Sequence, residues 1–116
     1  FNWPKNCVGY TSTHDSETVV EQFTDKCSDA DRDVMREYLR VSDREPLGWS
    51  AIRTAFAAPC DIAMTTMQDL LSLGADARMN TPSTLGGNWS WRAADGFDTA
   101  ALAKRILAEC AVYCRT

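Results

Sequence analysis

Long apolar runs are missing from this 116-residue sequence, and with them any segment able to cross a bilayer as a helix, which takes about 20 apolar residues. An excess of basic residues is missing too. Twelve Lys and Arg against sixteen Asp and Glu leave a formal net charge of −4, so neither nucleic acid nor an anionic membrane gains electrostatic support as a partner. No C-x2-C spacing occurs among the five cysteines, Cys7, Cys27, Cys60, Cys110 and Cys114, which argues against a zinc site. Their odd, scattered set reads as small apolar filler in a reduced cytosolic protein. Histidine is all but absent, His14 being the single one. Internal repeats and low-complexity segments are lacking. The sequence begins at Phe1 with no initiator methionine and no signal peptide, so no secretory route is expected and the Asn88-Trp89-Ser90 glycosylation pattern is given no weight.

What is present fits one ordinary domain and its core. It falls short of a complete eight-stranded barrel, which needs about 250 residues. Residues 1–6 form a lead-in in which Pro4 disfavours helix. Residues 7–11 read as a strand apolar on both faces, as in a parallel sheet. Residues 16–23 follow as a short helix with Glu17 in its first turn. Ser28 and Asp31 make a weak capping arrangement for a helix to about Leu39. In that helix Val34, Met35, Tyr38 and Leu39 share a buried stripe, while Arg32, Asp33, Arg36, Glu37 and Arg40 are solvated. Pro46 suits the first turn of the next helix, where Trp49, Ile52, Ala55 and Phe56 share a face. Residues 60–66 read as a second strand with Ile62, Ala63 and Met64 inside, and 67–71 as a short helix that Gly74 closes in the left-handed conformation. Residues 75–97 carry loop chemistry, and a loop of that length in a compact domain is usually functional or disordered. Its two tryptophans and two arginines argue against disorder. Asp98 caps a last helix, 99 to about 113, with Leu102, Ile106, Cys110 and Tyr113 on one stripe.

The chemistry concentrates in two stretches. Residues 7–18, CVGYTSTHDSET, end an apolar run on the polar pair His14-Asp15. On pattern alone that pair reads first as a surface turn in which Asp15 caps the next helix. Residues 67–92, MQDLLSLGADARMNTPSTLGGNWSWR, form a long and idiosyncratic run. Together they resemble the C-terminal part of the 4-α-glucanotransferases (amylomaltases, or disproportionating enzymes), glycoside hydrolase family 77. That family shows YTGTHDNDT where this chain has residues 10–18, and a QD-L-LG, ARMN-P, GNW-WR pattern matched here from Gln68 to Arg92. The resemblance runs from Trp3 to about Leu107.

The resemblance implies an α/β fold: the C-terminal two βα units of a (β/α)8 TIM barrel, mostly helical with two short parallel strands. Residues 1–116 would then be a C-terminal fragment of the catalytic barrel. It also implies roles. Asp15 would be the transition-state stabiliser, and His14 and Asn80 would bind substrate. The nucleophilic Asp and the acid/base Glu would lie upstream, leaving the fragment inactive by itself. The partners implied are α-1,4-glucans (starch and glycogen) and maltooligosaccharides, with no cofactor and no metal, in the cytoplasm. Nucleic acid and membrane are not expected as partners, and the isolated fragment is expected to self-associate.

Other residues keep two readings. Asn80 is equally a turn residue before Thr81-Pro82, and Arg78 and Arg92 read as structural salt-bridge formers. Trp89 and Trp91 suit stacking on glucose rings or packing in the core. Gln68 and Asp69 stand where barrel sites draw residues, or Asp69 is a helix cap. Three positions depart from the family pattern: Ser12 and Ser83 replace glycines, and Ser16 replaces asparagine. If the glycine at 12 serves a positive φ, serine disturbs it. The alternatives are a related α-glucan hydrolase and a non-catalytic helical interaction module; a free-standing module should blunt its exposed strand edges, and no such device is visible.

Overall fold

Pro46 fixes the start of the helix on which the core is built. In the computed structural model, which describes residues 2–115, Pro46 is the extended N-cap (φ −61°, ψ 139°) of the helix Leu47–Ala57. That helix buries Trp49, Ile52, Ala55 and Phe56 at three- and four-residue steps. Trp49, Ile52 and Phe56 form one cluster, joined by Ala63, Leu70 and the stripe Leu102, Ile106, Cys110 and Tyr113. Phe1, where the expected lead-in begins, and Thr116, where the expected domain ends, lie outside the described residues.

The order along the chain is β1 (Val8–Tyr10), α1 (Val19–Glu21) running into a π-helical turn (Gln22–Lys26), α2 (Asp29–Leu39) and α3 (Leu47–Ala57). Then come β2 (Ile62–Met64), α4 (Met67–Leu70), a 3-10 turn (Ala75–Ala77) and α5 (Ala100–Val112). The two strands pair in parallel, Val8 with Ile62, Gly9 with Ala63 and Tyr10 with Met64. The expected pair of parallel βα strands is therefore present. Its orientation differs from the expectation of two covered faces. Gly9 is buried beneath Trp3 and Cys60, and Ala63 packs on the core cluster. Alternation sends Val8, Tyr10, Ile62 and Met64 to the other face, where all four are exposed. Ile62 and Met64 are not inside.

Helix starts also shift, each for a hydrogen-bonding reason. Thr18 Oγ1 accepts from Glu21 N at 3.1 Å, so α1 begins at Val19 and Glu17 precedes the cap. Ser28 caps α2 as expected, accepting from Asp31 N. Yet α2 buries no residue: Val34 and Tyr38 are exposed, and only Met35 and Leu39 of the apolar stripe are half-covered. Arg32, expected in solvent, donates instead to the carbonyls of Phe23 (2.8 Å), Thr24 (3.2 Å) and Cys27 (3.3 Å), closing the π-helical turn. Thr66 caps α4, and the left-handed residue after it is Ser72 (φ 52°), not Gly74 (φ −90°). Thr99, rather than Asp98, caps α5 by accepting from Leu102 N at 3.1 Å.

Gly48 sets the distance between α3 and α4. A Cβ there would stand 2.0 Å from the Asp69 carbonyl oxygen, so only glycine allows the approach. Past the far end of α3, Arg115 donates to the carbonyls of Phe56 (3.0 Å), Ala58 (2.6 Å) and Cys60 (2.6 Å). Those carbonyls lack helical partners, and the guanidinium supplies them.

Candidate active site

β1 ends by handing its last ladder bond to Thr11, whose N–H donates to Met64 O at 3.1 Å. The chain then turns. Thr13 N donates to Ser16 Oγ at 2.8 Å and Ser16 N to Thr13 O at 3.4 Å, so a hydroxyl-closed turn carries His14 and Asp15 at its tip. Both side chains are about half exposed, and His14 Nε2 lies 3.2 Å from Asp15 Oδ2. This puts the pair just past the carboxyl end of a parallel strand.

The second arm arrives from the loop after the 3-10 turn. Asn80 Nδ2 donates to Asp15 Oδ1 at 2.7 Å, and Asn80 N donates to His14 O at 3.0 Å. One oxygen of the Asp15 carboxylate thus faces an amide donor and the other an imidazole nitrogen. Trp89 closes the group from the side, its ring centroid 5.1 Å from that of His14. A cavity of about 150 Å³ opens there, lined by Ser12, His14, Gln68, Met79 and Trp89 among others. The Trp89 backbone is left-handed (φ 60°) and anchored by its N–H to Met79 O at 2.7 Å.

Beneath this surface lies a support that sequence reasoning placed only loosely. Asp69 is fully buried. Its carboxylate accepts from Thr11 Oγ1 (2.6 Å), from Ser12 Oγ, and from Val19 N in the first turn of α1 (2.9 Å). It does cap a helix, but α1 rather than its own. Ser12, where the family pattern has glycine, is buried and spends its hydroxyl on Asp69 and Thr66. Gln68 likewise faces inward, donating to Ala77 O at 3.1 Å. The hydroxyls at Thr11, Ser12 and Thr66, all at strand ends, were the signal that a buried acceptor stood nearby.

Arg78 bridges the two arms. It meets Glu17 (3.1 Å) and Glu21 (3.3 Å), and its guanidinium also donates to the carbonyls of Asp15 (3.2 Å) and Asn80 (3.1 Å). The Glu17 carboxyl is held below the ordinary carboxylate range, first by its own backbone N–H and then, against some desolvation, by Arg78. Arg92 makes no comparable bridge: it donates to the carbonyls of Trp89 (3.2 Å) and Trp91 (2.7 Å).

Chemically the site offers a carboxylate with one oxygen hydrogen-bonded to an amide and an imidazole nitrogen 3.2 Å from the other, beside an aromatic face. A fixed anion of this kind stabilises positive charge developing next to it.

Comparison with known proteins adds the family context. The family profile described as 4-alpha-glucanotransferase matches residues 1–98. A 4-alpha-glucanotransferase of Clostridium butyricum is 40% identical over 114 residues, covering 98% of this chain and 23% of that protein. A chloroplastic/amyloplastic 4-alpha-glucanotransferase of Arabidopsis thaliana is 38% identical over 91 residues, 78% of this chain and 16% of its own length. Among solved structures, the amylomaltase from Streptococcus agalactiae, in complex with acarbose, superposes with a TM-score of 0.90 at 32% identity. The match covers 97% of this chain and 22% of that one. The chain therefore spans about a quarter or less of the proteins it matches, and within them its two parallel strands and their helices are two βα units of a barrel.

Proposed function

This chain belongs to the 4-alpha-glucanotransferase family, and on that premise we propose that the protein containing it transfers α-1,4-glucan segments to the 4-hydroxyl of an acceptor glucose or maltooligosaccharide. The reaction retains configuration and passes through a covalent glycosyl intermediate and an oxocarbenium-like transition state. Residues 1–116 are the C-terminal fragment of the catalytic barrel in this reading, with the nucleophilic Asp and the acid/base Glu upstream. Asp15 is the transition-state stabiliser, and His14 and Asn80 bind the sugar hydroxyls beside it.

The observation that carries the reading is the grip on Asp15. Asn80 and His14 approach one carboxylate oxygen each, at 2.7 and 3.2 Å, so the anion is held ready without reorganising. Preorganised groups of this kind contribute about 10²–10³ in rate. No cofactor is needed for the chemistry. We place the protein in the cytoplasm and its substrates among starch- and glycogen-type glucans; no helix among the described residues is long and apolar enough to cross a membrane. The net charge of −4 supports a reading without nucleic acid or membrane partners. The isolated fragment is inert, because losing the nucleophile or the acid/base removes several orders of magnitude, and it self-associates.

The test uses the full-length protein and maltotriose. Wild type is expected to release glucose and build longer oligosaccharides. Asp15→Asn is expected to lower turnover by about 10²-fold or more with thermal unfolding nearly unchanged, since an amide oxygen still accepts from Asn80. Near-wild-type turnover in that variant would reduce Asp15 to a turn residue.

A further inference from the structure

Asp15 and Asn80 are 65 positions apart, and nothing in the covalent chain sets their separation. Two direct bonds join their segments, one between the Asn80 and Asp15 side chains and one from the Asn80 N–H to the carbonyl of His14, a residue short of Asp15. A third connection runs behind them. The Arg78 side chain is only 14% exposed. Its Nη2 donates to the Asp15 carbonyl at 3.2 Å, and its Nε donates to the Asn80 carbonyl at 3.1 Å. Its Nη1 meets the carboxylates of Glu17 at 3.1 Å and Glu21 at 3.3 Å. All three guanidinium nitrogens are thus engaged, and the two main-chain contacts fall on the two residues that approach substrate.

We propose that Arg78 is a positioning residue for transglycosylation, a single planar fork that fixes the distance between the Asp15 and Asn80 backbones. The inference rests on the functional reading above. Glu17 and Glu21 hold the guanidinium from the α1 side, and the two carbonyls take their spacing from its rigid geometry. A lysine keeps the charge opposite both carboxylates, but its single ammonium lacks a rigid fork to engage both carbonyls at this spacing. The two requirements, charge and fork, are therefore separable by mutation. Small displacements of a site group are costly: about 1 Å can lose 10²-fold.

The experiment is made in the full-length enzyme with maltotriose, measuring kcat, KM and thermal unfolding for Arg78→Lys and Arg78→Gln, alone and with Asp15→Asn. Arg78→Lys is expected to unfold near the wild-type temperature and to lose about 10–100-fold in kcat, more than any change in KM. In the Asp15→Asn background the same substitution should cost far less, because its effect runs through Asp15. Arg78→Gln should lose both activity and some stability. A wild-type kcat in Arg78→Lys would overturn the proposal. So would an equal cost in both backgrounds, or failure of both Arg78 variants to fold, which would make Arg78 a determinant of the fold alone. Failure of the functional reading looks different: the wild-type protein itself would not disproportionate maltotriose.

Discussion

Ser83 takes a left-handed backbone (φ 63°) directly after Pro82, a conformation that costs a residue bearing a Cβ about 1–2 kcal/mol. The resemblance implies a glycine there, the residue that a turn with positive φ favours. Ser83→Gly should raise the chain's stability by up to about 1 kcal/mol, the relief being partly offset by the freedom glycine gains when unfolded. The urea midpoint of the purified chain measures it, and an unchanged or lower midpoint would mean the loop relaxes around serine. Ser12 makes the contrasting case. It is absent from the left-handed residues and its hydroxyl binds the buried Asp69, so the feared strain does not arise. The same glycine-to-serine change is thus absorbed at one site and costly at the other. Sequence alone presents them identically, because backbone φ and a buried acceptor 57 positions away are both invisible in it.

At the level of elements, legibility followed the number of turns available to count. The stripes of α3 and α5 repeat over eleven and thirteen residues, and both faces pack where the pattern put them. The two strands have three residues each, too few for alternation to tell a covered face from an open one. Arg32 and Asp69 escaped because a charged residue on a helix reads as solvated or as a cap for its own element, whereas both serve a neighbour. Two predictions belong here. Gly48→Ala would drive a methyl to within 2.0 Å of the Asp69 carbonyl oxygen, forcing α3 and α4 apart. It should destabilise by about 1–3 kcal/mol or more, read from denaturant unfolding. The second concerns the tie between α3 and α5. Glu45 binds Arg53 through both oxygens and Arg105 at 2.7 Å, while Arg105 lies 3.9 Å over the Trp49 ring. Hydrogen bonding from Arg53 holds the Glu45 carboxyl below its ordinary range, against some desolvation, with the attraction of both arginines adding. A lowered folded pKa contributes stability that is present above the unfolded value of about 4.3 and lost as pH falls through the folded one. Glu45→Gln should therefore lower stability at neutral pH by about 1–2 kcal/mol and flatten the acid limb below about pH 4. An acid limb unchanged by the substitution would place the loss elsewhere.

At the scale of the whole molecule, the sheet leaves one apolar face open. Val8, Tyr10, Ile62 and Met64 are 41%, 49%, 54% and 49% exposed on one face of two strands, and among the described residues no third strand pairs with either. The radius of gyration is 14.6 Å, against about 13 Å for a self-contained domain of this length. Both facts fit two βα units whose partners lie in the rest of a barrel, of which this chain spans 22% of a matched structure. The open edges are wet and so cost little while exposed. The apolar face is different: each Å² covered is worth about 25 cal/mol, and the backbone edges beside it offer a ready ladder. A second copy answers both needs at once by laying strand against strand. The isolated chain should accordingly sediment as a dimer or larger species, with the β1–β2 face in the contact. Met64→Lys combined with Val8→Lys should shift it toward monomer without disturbing the Trp49, Ile52 and Phe56 cluster, because both side chains point away from that cluster. A cooperatively melting monomer at high concentration would overturn this. It would mean that the helices around α3 bury enough surface to carry the fold with one sheet face left in water.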